Sequence, residues 1–153
     1  MKNKKKDFPA STSDRGPRRT IRTFVVDDDP IMLALLKWLL ERDERIAIVG
    51  VATDSHKAFQ PAAMSHPDLV LIDLHMPGLD GAQLTCWFKQ LHNPPVIFIM
   101  TSDESREART RSLAAGADAF LVKVTDLGEQ LRSAIRNSFG DHLKPETETT
   151  SNP

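Results

Sequence analysis

Residues 23–33 read TFVVDDDPIML: a β-branched and aromatic run, three consecutive aspartates, a proline, then a second apolar run. The first run has strand composition, proline suits the first position of a helix, and the second run continues with apolar residues at helical spacing. A strand passing through three carboxylates into a helix raises an electrostatic question. Like charges a few ångströms apart repel, and burial makes the repulsion worse. A bound cation or a helix N-terminus could offset that cost. Asp29, directly before Pro30, has the position of an N-cap. That leaves Asp27 and Asp28 for a cation.

Outward from this stretch the chain keeps one rhythm. Apolar runs near residues 21–26, 46–51, 69–72, 96–100 and 119–122 are short and rich in Val, Ile, Phe and Leu, as strands buried on both faces are. Helical patterns alternate with them. Residues 30–42 carry Ile31, Met32, Leu35, Leu36, Leu39 and Leu40, and residues 126–138 carry the stripe Leu127, Leu131, Ala134, Ile135. Position and composition place further helices near 55–65, 81–91 and 105–115, the last ended by a left-handed cap at Gly116. The pattern predicts an α/β domain of three layers, a doubly wound five-stranded parallel sheet with helices on both faces.

In such sheets, sites form outside the carboxyl ends of the strands, where strand order reverses. The residues there are Asp27, Asp28 and Asp29 after the first strand, Asp73 after the third, Thr101 and Ser102 after the fourth, and Lys123 after the fifth. The second strand ends in Val51, Ala52 and Thr53, without evident chemistry. Carboxylates bind a hard divalent cation through oxygen, and Mg²⁺ takes one or two of them plus phosphate oxygens and water. An aspartate beside the metal can attack phosphorus and form an acyl phosphate. Thr101 by hydrogen bonding and Lys123 by charge would then hold the phosphoryl oxygens.

Four segments, FVVDDDP, PDLVLIDLHMPGLDG, IFIMTS and GADAFLVK, resemble the motif regions of a response regulator receiver domain, over about residues 21–139. The resemblance implies the flavodoxin-like (receiver) topology. It implies Asp73 as phosphoacceptor, Asp27 and Asp28 as the metal-binding acidic pair, and Thr101 and Lys123 as the hydroxyl and lysine of the site. It further implies a metal ligand from the backbone carbonyl of His75 and an aromatic switch position at Phe120. The family often has proline after the lysine, in a cis bond, where this chain has Val124, and often tyrosine at the switch, where the chain has no Tyr at all. Phe120 can swing inward but cannot donate a hydrogen bond.

The function so implied is a Mg²⁺-dependent phosphorylation switch in a two-component system. A sensor histidine kinase or phosphotransfer protein would supply the phosphoryl group, and a separate output protein would read it. Its output face is expected on the helix near 105–115, the strand near 118–122 and the helix near 126–138. Three other classes compete. A haloacid-dehalogenase-like phosphatase would use Asp27 and Asp29 as Asp-x-Asp, but no later acidic motif follows residue 103 in a suitable position, and Asp73 is left unexplained. A flavodoxin-like redox protein would need a phosphate loop where three aspartates stand. A phosphorylation-independent pseudo-receiver would need the site to be incomplete, and all five of its residues are present.

The totals agree with a small one-domain protein of 153 residues, 40% hydrophobic. Charge is uneven: residues 1–22 hold eight Lys/Arg against Asp7 and Asp14, or +6, so the net −1 of the chain leaves −7 for the rest. Residues 1–20 read as a disordered basic arm and 140–153 as a disordered tail. The arm could meet nucleic acid or an anionic membrane, but without interleaved aromatics it reads as a solvated tail. No segment has the length and apolarity of a spanning helix or the core of a signal peptide, and the single Cys86 excludes an internal disulfide, which together suggest a cytoplasmic location. Nothing after Phe139 resembles a DNA-binding helix pair. Cys86, on the helix with Trp87 and Phe88, is expected to be core or partly buried. Asp80 reads as a helix cap, Gly78 and Gly81 as turn residues, and His56, His66, His92 and His142 as surface residues.

Overall fold

In a computed structural model that describes residues 19–140, ten elements alternate along the chain. They are β1 (Ile21–Val26), α1 (Pro30–Leu40), β2 (Ile46–Ala52), α2 (Ser55–Met64), β3 (Leu69–Asp73), α3 (Gly81–Lys89), β4 (Val96–Thr101), α4 (Arg106–Ala114), β5 (Ala119–Val122) and α5 (Leu127–Phe139). The basic arm up to residue 18, and the tail from residue 141 with His142, lie outside the described residues.

All strand pairings are parallel, in the order β2-β1-β3-β4-β5. The chain steps from β1 outward to β2, returns to the other side of β1 at β3, and then runs outward through β4 to β5. Strand order therefore reverses at β1 and β3, and the crevice that results opens where Asp27 and Asp73 end their strands.

The sheet divides the core in two because strand side chains alternate. Phe24, Val26, Val70, Ile72, Ile97 and Ile99 face Ala58, Ala62, Leu84, Phe88 and Ala108 of α2, α3 and α4. Ile21, Val25, Leu69, Leu71, Phe98 and Met100 face Leu36, Leu40, Leu127, Leu131 and Ile135 of α1 and α5. All of β3 is buried, so Asp73 is carried at the end of the most enclosed strand.

Helix starts follow the local sequence. Asp29 caps α1 by accepting from the Ile31 amide, with Pro30 in the first turn. Asp54 and Ser105 cap α2 and α4, and Asp80 with Gln83 makes a full capping box on α3. Gly116 follows α4 with φ of +104°, the left-handed conformation that ends it.

The apolar residues of α1 divide between two faces: Leu36 and Leu40 are enclosed, whereas Ile31 is 79% exposed, Leu35 41% and Trp38 56%. The helix is apolar nearly all round, and only one of its faces meets the sheet. Cys86 is exposed, not core. The buried positions of α3 are Gly81, Ala82, Leu84, Thr85 and Phe88, and this phase turns Cys86 and Trp87 outward. The helices near 30–42 and 81–91 also end two residues early, at Leu40 and Lys89.

Candidate functional site

Lys123 is the centre of the site. Its ammonium lies 2.7 Å from Asp27 Oδ2 and 3.1 Å from Asp73 Oδ1, and its side chain is 9% exposed. It is placed by the β4–β5 pairing, since its amide donates to the Thr101 carbonyl at 2.8 Å. Burial works against the charged ammonium, but the hydrogen bond and charge of Asp27 with the charge of Asp73 outweigh it and raise the lysine above its usual range.

Asp27 is fully buried, with Oδ1 accepting from the Asp29 amide at 2.9 Å while Oδ2 meets the lysine. Asp28 is exposed beside it. Burial pushes the Asp73 carboxyl up, the nearby Asp27 charge adds to this, and Lys123 opposes both without cancelling them. One cation thus serves two buried carboxylates, so the site holds excess negative charge. Carboxylate oxygens of Asp27, Asp28 and Asp73 lie within 4.8 Å of one another, the single such group among the described residues. An all-oxygen, all-anionic donor set of this kind suits a hard divalent cation and no soft one.

Thr101 is buried on the adjacent strand, one position beyond Met100, the register partner of Asp73. Ser102 is exposed. Asp29 is committed to its helix cap and stands outside the carboxylate group. Phe120 is half-buried on β5 beneath the Arg109 guanidinium of α4, whose carbon is 5.7 Å from the ring centroid. The Lys123–Val124 peptide is trans, as no cis bond occurs among the described residues. His56, His66 and His92 are exposed, as their isolated spacing suggested.

Sequence reading passed over one pair. The His75 imidazole Nε2 lies 3.5 Å from Asp103 Oδ2, across the opening between the loops after β3 and β4. The Asp103 amide donates to Thr101 Oγ1 at 3.0 Å, and its Oδ1 accepts from the Ser105 amide at 2.9 Å. The Ser105 hydrogen bonds, helped by His75, hold the Asp103 carboxyl below its usual range. Each member stands two residues past a site residue, Asp73 and Thr101, and that shared offset is the signal that could have found it.

A family model described as the response regulator receiver domain matches residues 23–136. Among curated proteins, the chain is 32% identical over 125 residues to protein-glutamate methylesterase/protein-glutamine glutaminase 1 of Methanospirillum hungatei, covering 76% of this chain and 36% of that protein. It is 38% identical over 112 residues to the corresponding protein of Symbiobacterium thermophilum, covering 72% and 31%. The chain thus spans about a third of the length of these curated relatives. Among solved structures, the response regulator domain of Thermotoga maritima CheB superposes with a TM-score of 0.70 at 26% identity, covering 78% of this chain and 96% of that one. A two-component response regulator of the LuxR family from Aurantimonas sp. gives 0.73 at 28% identity, covering 80% and 88%.

Proposed function

The chain belongs to the response regulator receiver family, and from that premise we propose that Asp73 is its phosphoacceptor, charged by a sensor histidine kinase or phosphotransfer protein. The observation that carries this is the Lys123 ammonium held between Asp73 and buried Asp27, with Asp28 alongside, at the reversal of strand order. In the reaction an Asp73 carboxylate oxygen attacks phosphorus in line with the breaking P–N bond. The electron pair of that bond stays on the donor imidazole, and the product is a mixed anhydride on Asp73. Lys123 already contacts Asp73 and can follow the charge onto the phosphoryl oxygens. Thr101 can donate its hydroxyl proton to one of them while still accepting from the Asp103 amide.

The carboxylates of Asp27, Asp28 and Asp73, joined by the His75 backbone carbonyl that the family likeness implies, would hold Mg²⁺. Bound there, the ion supplies positive charge for the transferring phosphoryl oxygens and neutralises the crowded acids. Metal-bound or free, the chain itself contributes position: three strand ends and one lysine fix every group before the donor arrives.

A protein donor needs a surface to rest on. Ile31, Leu35 and Trp38 form an exposed apolar stripe at i, i+4, i+7 that begins two residues from the Asp29 cap, and Arg42 closes it over the Trp38 ring at 4.5 Å. A helix of the phosphodonor can pack on it while its phosphohistidine reaches the crevice. Output would pass by protein contacts on α4, β5 and α5, with Phe120 as the switch side chain, the chain acting as a signalling module with no catalysis beyond its own phosphorylation and dephosphorylation. No helix among the described residues is long and apolar enough to cross a membrane, which accords with a cytoplasmic place of action. The deciding experiment is intact-mass measurement after incubation with acetyl phosphate and Mg²⁺. One phosphoryl increment on the wild-type chain, absent from Asp73→Asn, supports the reading, and a stable increment mapped to Asp27 or Asp29 replaces it with a phosphatase-like one.

A further inference from the structure

The Lys123 ammonium can meet Asp27 and Asp73 together only if the backbone beneath it is held in place, because its flexible stem sets no geometry by itself. That backbone makes a three-residue turn. The Val124 amide donates to the Val122 carbonyl at 2.8 Å, with Lys123 between them, while the Lys123 amide donates to Thr101. Val124 is exposed and has no ring to stiffen the turn. Gln130, in the first turn of α5, holds it from the side. Its Oε1 accepts from the Val122 amide at 2.9 Å, and its Nε2 donates to the Val122 carbonyl at 3.1 Å and to Asp126 Oδ1 at 2.7 Å. Val122 is the register partner of Thr101, so this one residue joins the hydroxyl of the site, the lysine turn and α5.

Closing the sheet edge would explain the two bonds to Val122, since β5 is the last strand. It does not explain the third. Asp126 is the N-cap residue of α5, yet its side chain caps no amide of that helix and holds Gln130 instead. A helix start thus forgoes its usual cap to fix the amide that fixes Val122. The series of bonds ends on a helix that is hard to move, anchored by buried Leu127, Leu131, Ala134 and Ile135.

We propose that Gln130 is a positioning residue for Lys123. Its side-chain amide, oriented by Asp126, locks Val122 and so aims the lysine ammonium at Asp73 and, after transfer, at the phosphoryl oxygens. Gln130 touches neither group and acts only through the turn. The proposal rests on Asp73 being the phosphoacceptor and Lys123 its cationic partner.

Gln130→Met keeps the length of the side chain and removes its hydrogen bonds, and Asp126→Ala removes only the outer bond without taking a cap from α5. With acetyl phosphate and Mg²⁺, the rate constant for phosphorylation of Asp73 should fall about tenfold in Gln130→Met and about threefold in Asp126→Ala, because a small displacement at a reacting group is costly. Ala134→Gly, which loosens the same helix without touching Val122, should stay within about twofold of wild type. The lysine itself supplies a readout that a loss of stability would not move. In the metal-free chain at mildly acidic pH, the buried Lys123 ammonium should give a nitrogen–proton NMR signal in slow exchange with water, identified by its absence from Lys123→Arg. That signal should broaden or vanish in Gln130→Met and persist in Ala134→Gly. A signal equally sharp or equally absent in wild type and Gln130→Met would overturn the assignment, as would a rate loss in Ala134→Gly that matches that of Gln130→Met. Gln130 would then be an edge cap. A wild-type chain that takes up no phosphoryl group on Asp73 would sink the functional reading instead, and the ammonium signal would still decide whether Gln130 seats the lysine.

Discussion

Helices α4 and α5 flank β5 and frame one surface, yet they are held by different means. From α5, Leu127, Leu131, Ala134 and Ile135 are driven into the core, and the Gln130 amide bonds both the N–H and the C=O of Val122, as a neighbouring strand would. From α4 only Ala108 and Ser112 are buried, and Ser112 spends its hydroxyl on the Ala108 carbonyl within the same helix. What fixes α4 is polar and partly exposed: Arg111 to Asp80 at 3.2 Å, Arg109 over Phe120, and a cap chain that runs from Thr101 through Asp103 and Ser105 to the Ala108 amide. A helix anchored by buried area moves only at the cost of that area, whereas one anchored by exchangeable polar contacts can shift for little. The second kind lies next to the site and is wired to its hydroxyl.

The contrast can be broken by mutation. Leu131→Ala in α5 should lower the unfolding free energy by about 3 kcal/mol, while Leu113→Ala in α4, 42% exposed, should cost under about 0.5 kcal/mol, both read by urea denaturation. Similar costs would mean that α4 is anchored as firmly as α5.

The edge from which α4 takes its lead should behave in the opposite sense. Removing the Asp73 charge in Asp73→Asn should stabilise the metal-free fold by about 1 kcal/mol near neutral pH, because one lysine no longer serves two acids. The sign follows from the raised carboxyl. The folded chain binds that proton more tightly than the unfolded chain, so the stability it contributes is complete below the unfolded carboxyl value of about 3.9 and is lost as pH rises through the folded one. The advantage of the variant over wild type should therefore open as pH rises through that window and then level off, and millimolar Mg²⁺ should shrink it by stabilising the wild type.

Arg111→Ala should change global stability by at most about 0.5 kcal/mol, as exposed ion pairs do, yet speed amide exchange across residues 106–114 and leave residues 127–139 unchanged. Smallest in energy, and most direct, is the response to beryllofluoride with Mg²⁺. Amide shifts should extend from Asp73 through residues 103–122 and stay sparse along α5, and shifts confined to the neighbours of Asp73 would refute the coupling of site to α4.

Much of this was legible in the chain itself. Strand composition and helix caps located the elements to within about two residues, because those signals are local. The candidate site was legible too, since Asp27, Asp28, Asp73, Thr101 and Lys123 end or directly follow strands, and the end of a parallel strand is a place that topology alone can find. What escaped reading needed side-chain geometry or helix phase. Cys86 was misjudged from its apolar neighbours, although Ala82, Leu84, Thr85 and Phe88 already give the buried phase of α3. The uniform apolarity of α1 hid which face meets water. His75 and Asp103 sit in different loops, and no spacing rule brings two loops together before the register of β3 on β4 is known.

One close contact sets a limit on how this chain can vary. A Cβ on Gly81 would run into the backbone carbonyl of Asp73 and the Cα of Leu74, neither of which can step aside as a flexible side chain could. The first residue of α3 is therefore seated directly on Asp73, the proposed phosphoacceptor. A library randomised at position 81 and selected for phosphorylation should return glycine almost alone, and alanine, harmless in most helices, should be among the absentees. The nearby position Gln83, whose side chain only helps to cap the same helix, should tolerate a broad alphabet. Tolerance along this segment would then map the reach of the site more sharply than distance from Asp73.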